Sequence, residues 1–356
     1  MILRGNRGST KNKRSDLHFL LINLEGTTLL SIAAYFVYTK LPYYIGLLGT
    51  TAITILTYFF FIYLALNIAY FLYCYIKKIS LEDTKITILY NSLAGILTRN
   101  KQKVDNKKLK TAILSTIVKF FFFPIMFATV VNRWPIVFAG VQNLFAGGFS
   151  IFTNFNYLFN FLLAAIFFFD TLVFAFGYAF EAKELRSEIR SVEPTFFGWA
   201  VALATYPPFN DHTSQFLDGL AKMFLTNSQT FSVLIPASAI TQSVATALRL
   251  LTLILYSIYL WATFALGTKS SNLTNRGIVS SGPYKFLRHP AYISKNLAWW
   301  IESILSGLNV ARVIVLVGWN MIYFFRAKTE ENHLSLDPDY VKYKKKVKWK
   351  FIPGLF

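Results

Sequence analysis

The chain has 356 residues, 54% of them hydrophobic and only 15% charged, with a mean hydropathy of +0.45 and a formal net charge of +19. Soluble domains carry about 25% charged residues, so a soluble class is excluded. The alternating pattern of a membrane β-barrel is absent as well. In so apolar a chain the basic excess reads as a topology signal rather than a nucleic-acid footprint.

Apolar runs of about 20 residues recur, the length that spans hydrocarbon as a helix. They predict an all-α fold: a polytopic transmembrane helical bundle of about 8 spans, with a C-terminal helical hairpin. Residues 1–16 hold five Lys/Arg and read as an unstructured basic N-terminus. The first run is Leu17–Tyr38, with Glu25 and Gly26 inside it. The second, Ile45–Ile76, exceeds a span and predicts tilt or overhang. A polar stretch, 77–111, carries nine Lys/Arg and precedes the third run, Ala112–Val131. A Trp/Gly/Asn-rich connection leads to the fourth, Phe155–Phe180, which contains Asp170.

Residues 181–194 are charged. A weak fifth run, Thr195–Tyr206, stops at Pro207-Pro208. Residues 209–244 are mixed, and Phe231–Ile240 suits the membrane interface. The sixth run is Ala245–Gly267. The seventh and eighth, Pro290–Leu308 and Val310–Phe325, are joined by a very short turn, which predicts the hairpin. The organisation is then a basic terminus (1–16), an N-terminal membrane region of unassigned role (17–244), and a membrane core with its tail (245–356). The single cysteine, Cys74, lies in an apolar run and can form no internal disulfide. Neither a signal peptide nor a lipidation box is expected.

Of the 36 Lys/Arg, 29 fall in the N-terminus and in segments 77–111, 181–194, 268–289 and 326–356. Eight crossings put all of these on one side, which the positive-inside rule assigns to the cytoplasm. Both termini are expected there, in a bacterial inner membrane or the endoplasmic reticulum. The basic run Lys342–Lys350 suits anionic headgroups, and Tyr340, Tyr343 and Trp349 suit the interface.

Two polar constellations fall in the last ninety residues. One is RGIVSSGPYKFLRHPAY, Arg276–Tyr292, between two apolar runs. Its Pro290 suits a first helical position, and a helix start can hold a polar ligand. The other is Arg326-Ala-Lys-Thr-Glu330-Glu331 after the last run, where Arg326 and Glu330 are four apart on one helical face. An ordinary exposed ion pair is the plain alternative. A hairpin makes the two constellations neighbours. His289 could instead cap the loop or meet a lipid phosphate. His18, His212 and His333 have no metal-like partners, and no metal site is read. Asp170, Glu25 and Arg249 inside apolar runs read as functional groups or as bridges between helices. The segment Glu193–Asn210, interrupted by prolines, reads as part of an acceptor cavity or as a broken helix.

Taken in order, these pieces resemble the isoprenylcysteine carboxyl methyltransferase family and, more broadly, integral-membrane methyltransferases that include phospholipid N-methyltransferases. The carriers are Gly282 and Tyr284, Arg288 through Tyr292, the hairpin, Arg326, Glu330 with Glu331, and Tyr340 with Tyr343. The resemblance covers about residues 245–356 and implies S-adenosylmethionine as methyl donor and cofactor, held in a cytoplasmic cofactor pocket. By position, Gly277, Ile278 and Val279 would give the donor backbone contacts, and Tyr284 would line its pocket. His289, Pro290, Ala291 and Tyr292 would shape that pocket. Glu330 would contact the donor, and Arg326 would hold the acceptor, making these two the implied catalytic pair. Ser294, Lys295 and Arg276 depart from the family pattern and leave the acceptor open between an isoprenylcysteine-like carboxylate and a phospholipid-like group. The expected partners are the bilayer and a lipid or lipidated acceptor, with no nucleic acid. The tail Phe351-Ile352-Pro353 also echoes NADPH-dependent sterol-reductase-type enzymes, and a non-catalytic membrane protein or transporter is the third reading.

Overall fold

The computed structural model describes residues 7–97, 105–146, 154–182, 184–207, 209 and 233–355. His212, Pro208, Asn210, Phe231 and residues 1–6 lie outside them. The described chain is predominantly helical, with four strands of two or three residues, so the all-α polytopic bundle is observed. Two compact units divide it, Met1–Ala128 and Thr129–Phe356.

The first unit holds α1 (Arg7–Lys40), α2 (Pro42–Ile76), α3 (Lys85–Leu97) and the first part of α4 (Asn106–Ala146). The helix of α1 starts inside the basic stretch expected to be unstructured; Lys and Arg are good helix formers, so a span can extend through them. The overlong second run has a physical answer in Gly49, whose φ of 68° breaks α2 near its start. Leu20, Phe71, Cys74 and Leu81 form a small core. Above it the fully buried Asn23 donates to Thr87 Oγ1 (3.0 Å) and accepts from Thr84 Oγ1 (2.7 Å), satisfying polar atoms that burial would otherwise penalise.

The second unit holds the rest of α4, then α5 (Phe155–Ala179), β1 (Ser191–Val192), α6 (Phe196–Leu203) and β2 (Val233–Ile235). It continues with α7 (Gln242–Leu266), β3 (Thr274–Asn275), α8 (Pro290–Leu305), β4 (Leu308–Asn309), α9 (Val310–Leu334) and α10 (Pro338–Lys346). Asn309 caps α9 by accepting from the Arg312 N–H at 2.8 Å, so the hairpin turn and the helix start are set by one residue. The core is Ile166, Tyr256, Trp299, Leu316, Trp319 and Tyr323, contributed by α5, α7, α8 and α9.

Side-chain pairs fix the directions. Asp170 accepts from Tyr259 and Thr263, both at 2.6 Å, and Tyr178 contacts Asn272, so α5 and α7 run parallel. Tyr256 donates to Glu302 at 3.1 Å while Lys295 sits over Tyr259, so α8 runs back along α7. Trp299 meets Trp319 and Tyr292 meets Tyr323, so α9 is antiparallel to α8. The ends of α5 and α7, the start of α8 and the end of α9 therefore gather at one end of this unit. The β2–β4 ladder marks the other end.

Among the described residues, six helices are long and apolar enough to cross a membrane, against about eight expected. The fifth run folds as α6, eight residues and about 12 Å long. The seventh folds as α8, 16 residues and about 24 Å, short of a ~30 Å hydrocarbon core. Both segments still belong to the passage between the two ends of the unit, because the chain leaves Val192 at one end and reaches Val233 at the other. Apolar length exceeds helix length where prolines and caps cut the helix.

Candidate active site

At the gathered ends lies a cleft with about 430 Å³ of non-atom space, its open mouth included. The hairpin provides one wall: Tyr292 from α8 and Arg326, Thr329, Glu330 and His333 from α9. Residues 271–274, after α7, provide a second, and Glu193, Gly198 and Ala202 a third. The β1–β3 ladder, pairing Ser191 with Asn275 and Val192 with Thr274, brings these last two walls together. Leu273, at φ +62°, is held in a left-handed conformation that a bulky side chain resists, and its carbonyl accepts from the Glu193 N–H at 2.7 Å.

Arg326 is 9% exposed and makes no ion pair with Glu330 among the described residues, so the exposed surface pair does not form. It donates to Thr205 Oγ1 at 2.6 Å and to Asn272 Oδ1, both uncharged. Its guanidinium is boxed by the rings of Tyr292, Tyr206 and Tyr323 at 5.3, 5.7 and 5.8 Å. Asn272 in turn donates to Tyr178 and Tyr206 through Nδ2 at 2.8 and 2.9 Å. This network fixes the cation without neutralising it. Glu330 accepts from Tyr292 at 2.6 Å. The Nε2 of His333 is 2.8 Å from Ser191 Oγ. Glu193, buried, accepts from the Thr195 N–H at 3.0 Å, and a Cβ on Gly198 would lie 2.5 Å from its carboxyl carbon. Only glycine leaves room for that carboxylate.

The remaining residues singled out in the sequence stand beside the cleft. Ile278 and Tyr284 pack on Tyr340, Tyr343 and Val347, and Tyr343 donates to the Tyr284 carbonyl at 2.9 Å. Tyr340 and Tyr343 are therefore buried in protein, not at the membrane interface. Burial raises the hydroxyl pKa of Tyr284 and of both tail tyrosines. The Gly277 N–H donates to Asn275 Oδ1 at 2.8 Å, and Val279 lies two residues beyond on the same half-buried loop. Pro290 opens α8 and is buried, with Ala291 half-buried behind it.

His289, 5% exposed, belongs to a clamp around Glu331. Glu331 meets Arg288 Nε at 2.7 Å, His289 Nε2 at 3.2 Å, Lys350 at 3.5 Å and Lys344 at 3.7 Å. The tail lies across the start of α8: the N–H groups of Arg288 and His289 donate to the carbonyls of Trp349 and Lys350 at 3.0 and 3.1 Å. Burial lowers the pKa of Lys350, with Glu331 opposing. Asp337 caps α10 and accepts from Asn275 Nδ2 at 2.9 Å. Burial would raise its carboxyl pKa, but Asn275, the Asp339 N–H and Arg190 outweigh that and lower it.

Sequence reasoning brought Tyr292, Arg326 and Glu330 together. It missed the roles of Asn272, Thr205, Tyr206 and His333. The available signal was the proline-bounded Glu193–Asn210 segment with its single glycine.

No curated protein and no solved structure matches this chain. Residues 242–336, which carry α7, the loop to α8 and the whole hairpin, match the phospholipid methyltransferase (PEMT) family model, so this multi-pass membrane protein carries a methyltransferase-family segment in its C-terminal third.

Proposed function

We propose that the protein is an integral-membrane, S-adenosylmethionine-dependent methyltransferase acting on a lipid-soluble or lipidated acceptor. The observation that carries this reading is the convergence of Tyr292, Arg326, Glu330 and His333 on one cleft, all from the methyltransferase-matched segment. The cleft's two carboxylates, Glu330 and Glu193, suit a donor whose sulfonium and ammonium are both cationic.

Bound there, the donor supplies an electrophilic methyl group on sulfur. Glu330, steadied by the Tyr292 hydroxyl, binds the donor's ammonium. Arg326, held by neutral partners, keeps its charge for an acceptor carboxylate or phosphate. By the family resemblance, Gly277–Val279, Tyr284 and His289–Ala291 contribute to the donor's side of the site. In-line displacement draws most of its acceleration from alignment, which the Tyr206–Asn272–Thr205 network provides by fixing Arg326. A carboxylate acceptor is already ionised at neutral pH and needs no base. For an amine acceptor, His333 in the cleft wall is better placed to take the proton than the clamped His289. The positive-inside pattern supports a cleft open to the cytosol, with both termini on that side.

Isothermal titration of purified protein with S-adenosylmethionine and its demethylated product tests the donor, with NADPH as the competing ligand. Binding of the first two supports the reading. Binding of NADPH alone, or of none by folded protein, overturns it. Mass spectrometry of membrane lipids and lipoproteins with and without the protein then seeks a gain of one CH₂, which Arg326→Ala should abolish.

A further inference from the structure

Away from the cleft, four cations converge where α5 and α7 end. Arg186 and Arg190 lie on the loop after α5, Lys269 follows α7, and Arg276 lies beneath them. Gly277, at φ +91°, lets both cationic heads close over its backbone: a Cβ there would stand 3.0 Å from Arg190 Nη2 and 3.3 Å from Lys269 Nζ. Two positive heads thus face one bare stretch of backbone. Arg190 spends its other Nη on Asp337 at 3.3 Å. Arg186 and Lys269 make no hydrogen bond or ion pair among the described residues. Arg186, exposed and at φ +49°, is an electrostatic neighbour of Lys269.

The arrangement is rigid. Arg276, 3% exposed, donates to the Ser187 carbonyl at 3.1 Å and the Thr268 carbonyl at 3.5 Å, tying the two cation-bearing loops together. Its Nε and Nη2 are buried with no hydrogen-bond partner among the described residues, and the Glu181 carboxylate is its nearby counter-charge. Thr268 Oγ1 donates to the Leu185 carbonyl at 3.0 Å, and Arg190 N–H to Asn275 O at 2.7 Å. Like charges gathered on a fixed scaffold call for an anion with several acceptor oxygens. Two helices long and apolar enough to cross a membrane, α5 and α7, end here.

We propose that the Arg186–Arg190–Lys269 cluster over Gly277 binds a phosphate group, presented either by an anionic membrane lipid or by a soluble phosphate. The test is native mass spectrometry and thermal unfolding of the full chain in phosphatidylcholine nanodiscs. Phosphatidylglycerol or inorganic phosphate is added in separate arms, and the wild type is compared with the double variant Arg186→Gln, Lys269→Gln. Retained phosphatidylglycerol and a raised Tm, both weakened roughly tenfold in apparent affinity by the variant, support a lipid phosphate. The same pattern with inorganic phosphate alone supports a soluble one. Equal binding by both proteins overturns the proposal, as does a variant that instead loses affinity for S-adenosylmethionine. The assay needs no turnover, so its result stands apart from methyl transfer.

Discussion

The cleft and the tail clamp begin one residue apart, at Glu330 and Glu331 of α9, and treat their carboxylates in opposite ways. Successive residues on a helix point about 100° apart. Glu330 therefore turns into the cleft, where Tyr292 is its hydrogen-bond donor. Glu331 turns to the tail, where Arg288, His289, Lys350 and Lys344 surround it. Charge is left available on one side and neutralised on the other. A Glu-Glu pair that reads in sequence as one acidic motif is thus two devices, one for chemistry and one for closure.

Breaking the clamp should have the largest effect. Glu331→Ala leaves buried Arg288, His289 and Lys350 without their common anion, which costs about 3–5 kcal/mol; denaturant unfolding in detergent should show it, and an unchanged midpoint would mean the clamp is idle. Glu330→Gln should do the reverse: unfolding within about 0.5 kcal/mol of wild type, and methyl transfer down by about a hundredfold. If both variants lose stability equally, the division between the devices fails. Gly198→Ala sharpens the comparison from the third wall. Its methyl group collides with the Glu193 carboxyl, so about 1–3 kcal/mol of strain is expected, with a larger change in donor affinity than in acceptor KM.

The smallest effect concerns pH. The Asp337 carboxyl has its folded pKa lowered below the ordinary ~3.9. Its contribution is therefore full above that value and fades as pH falls through the folded pKa. Asp337→Asn should flatten the acid limb of the stability profile below about pH 4 and leave neutral-pH donor binding unchanged; circular dichroism across that range is the check.

Much of this was legible because membranes impose simple rules. Apolar length and the Lys/Arg distribution marked α1, α2, α4, α5, α7 and α9, since a helix in lipid must satisfy its own backbone. The hairpin followed from two apolar runs joined by a short turn, and it sufficed to bring Tyr292 to Arg326 and Glu330. The fifth and seventh runs fold as helices shorter than their apolar length, because hydropathy measures transfer from water, not where a cap or a proline ends a helix.

Sequence by itself determined the membrane class, the hairpin and the identity of the charged pair, because these depend on spacing along one chain. Tertiary structure alone decided that Arg326 is held by Thr205, Asn272 and Tyr206, that Glu331 closes the tail, and that Arg276 braces a cationic cluster. Each of those outcomes depends on groups more than 40 residues apart meeting at hydrogen-bond or ion-pair distance. No local pattern records such meetings, since they arise only when the parallel α5–α7 pair and the β1–β3 ladder bring separate loops to the same end of the bundle.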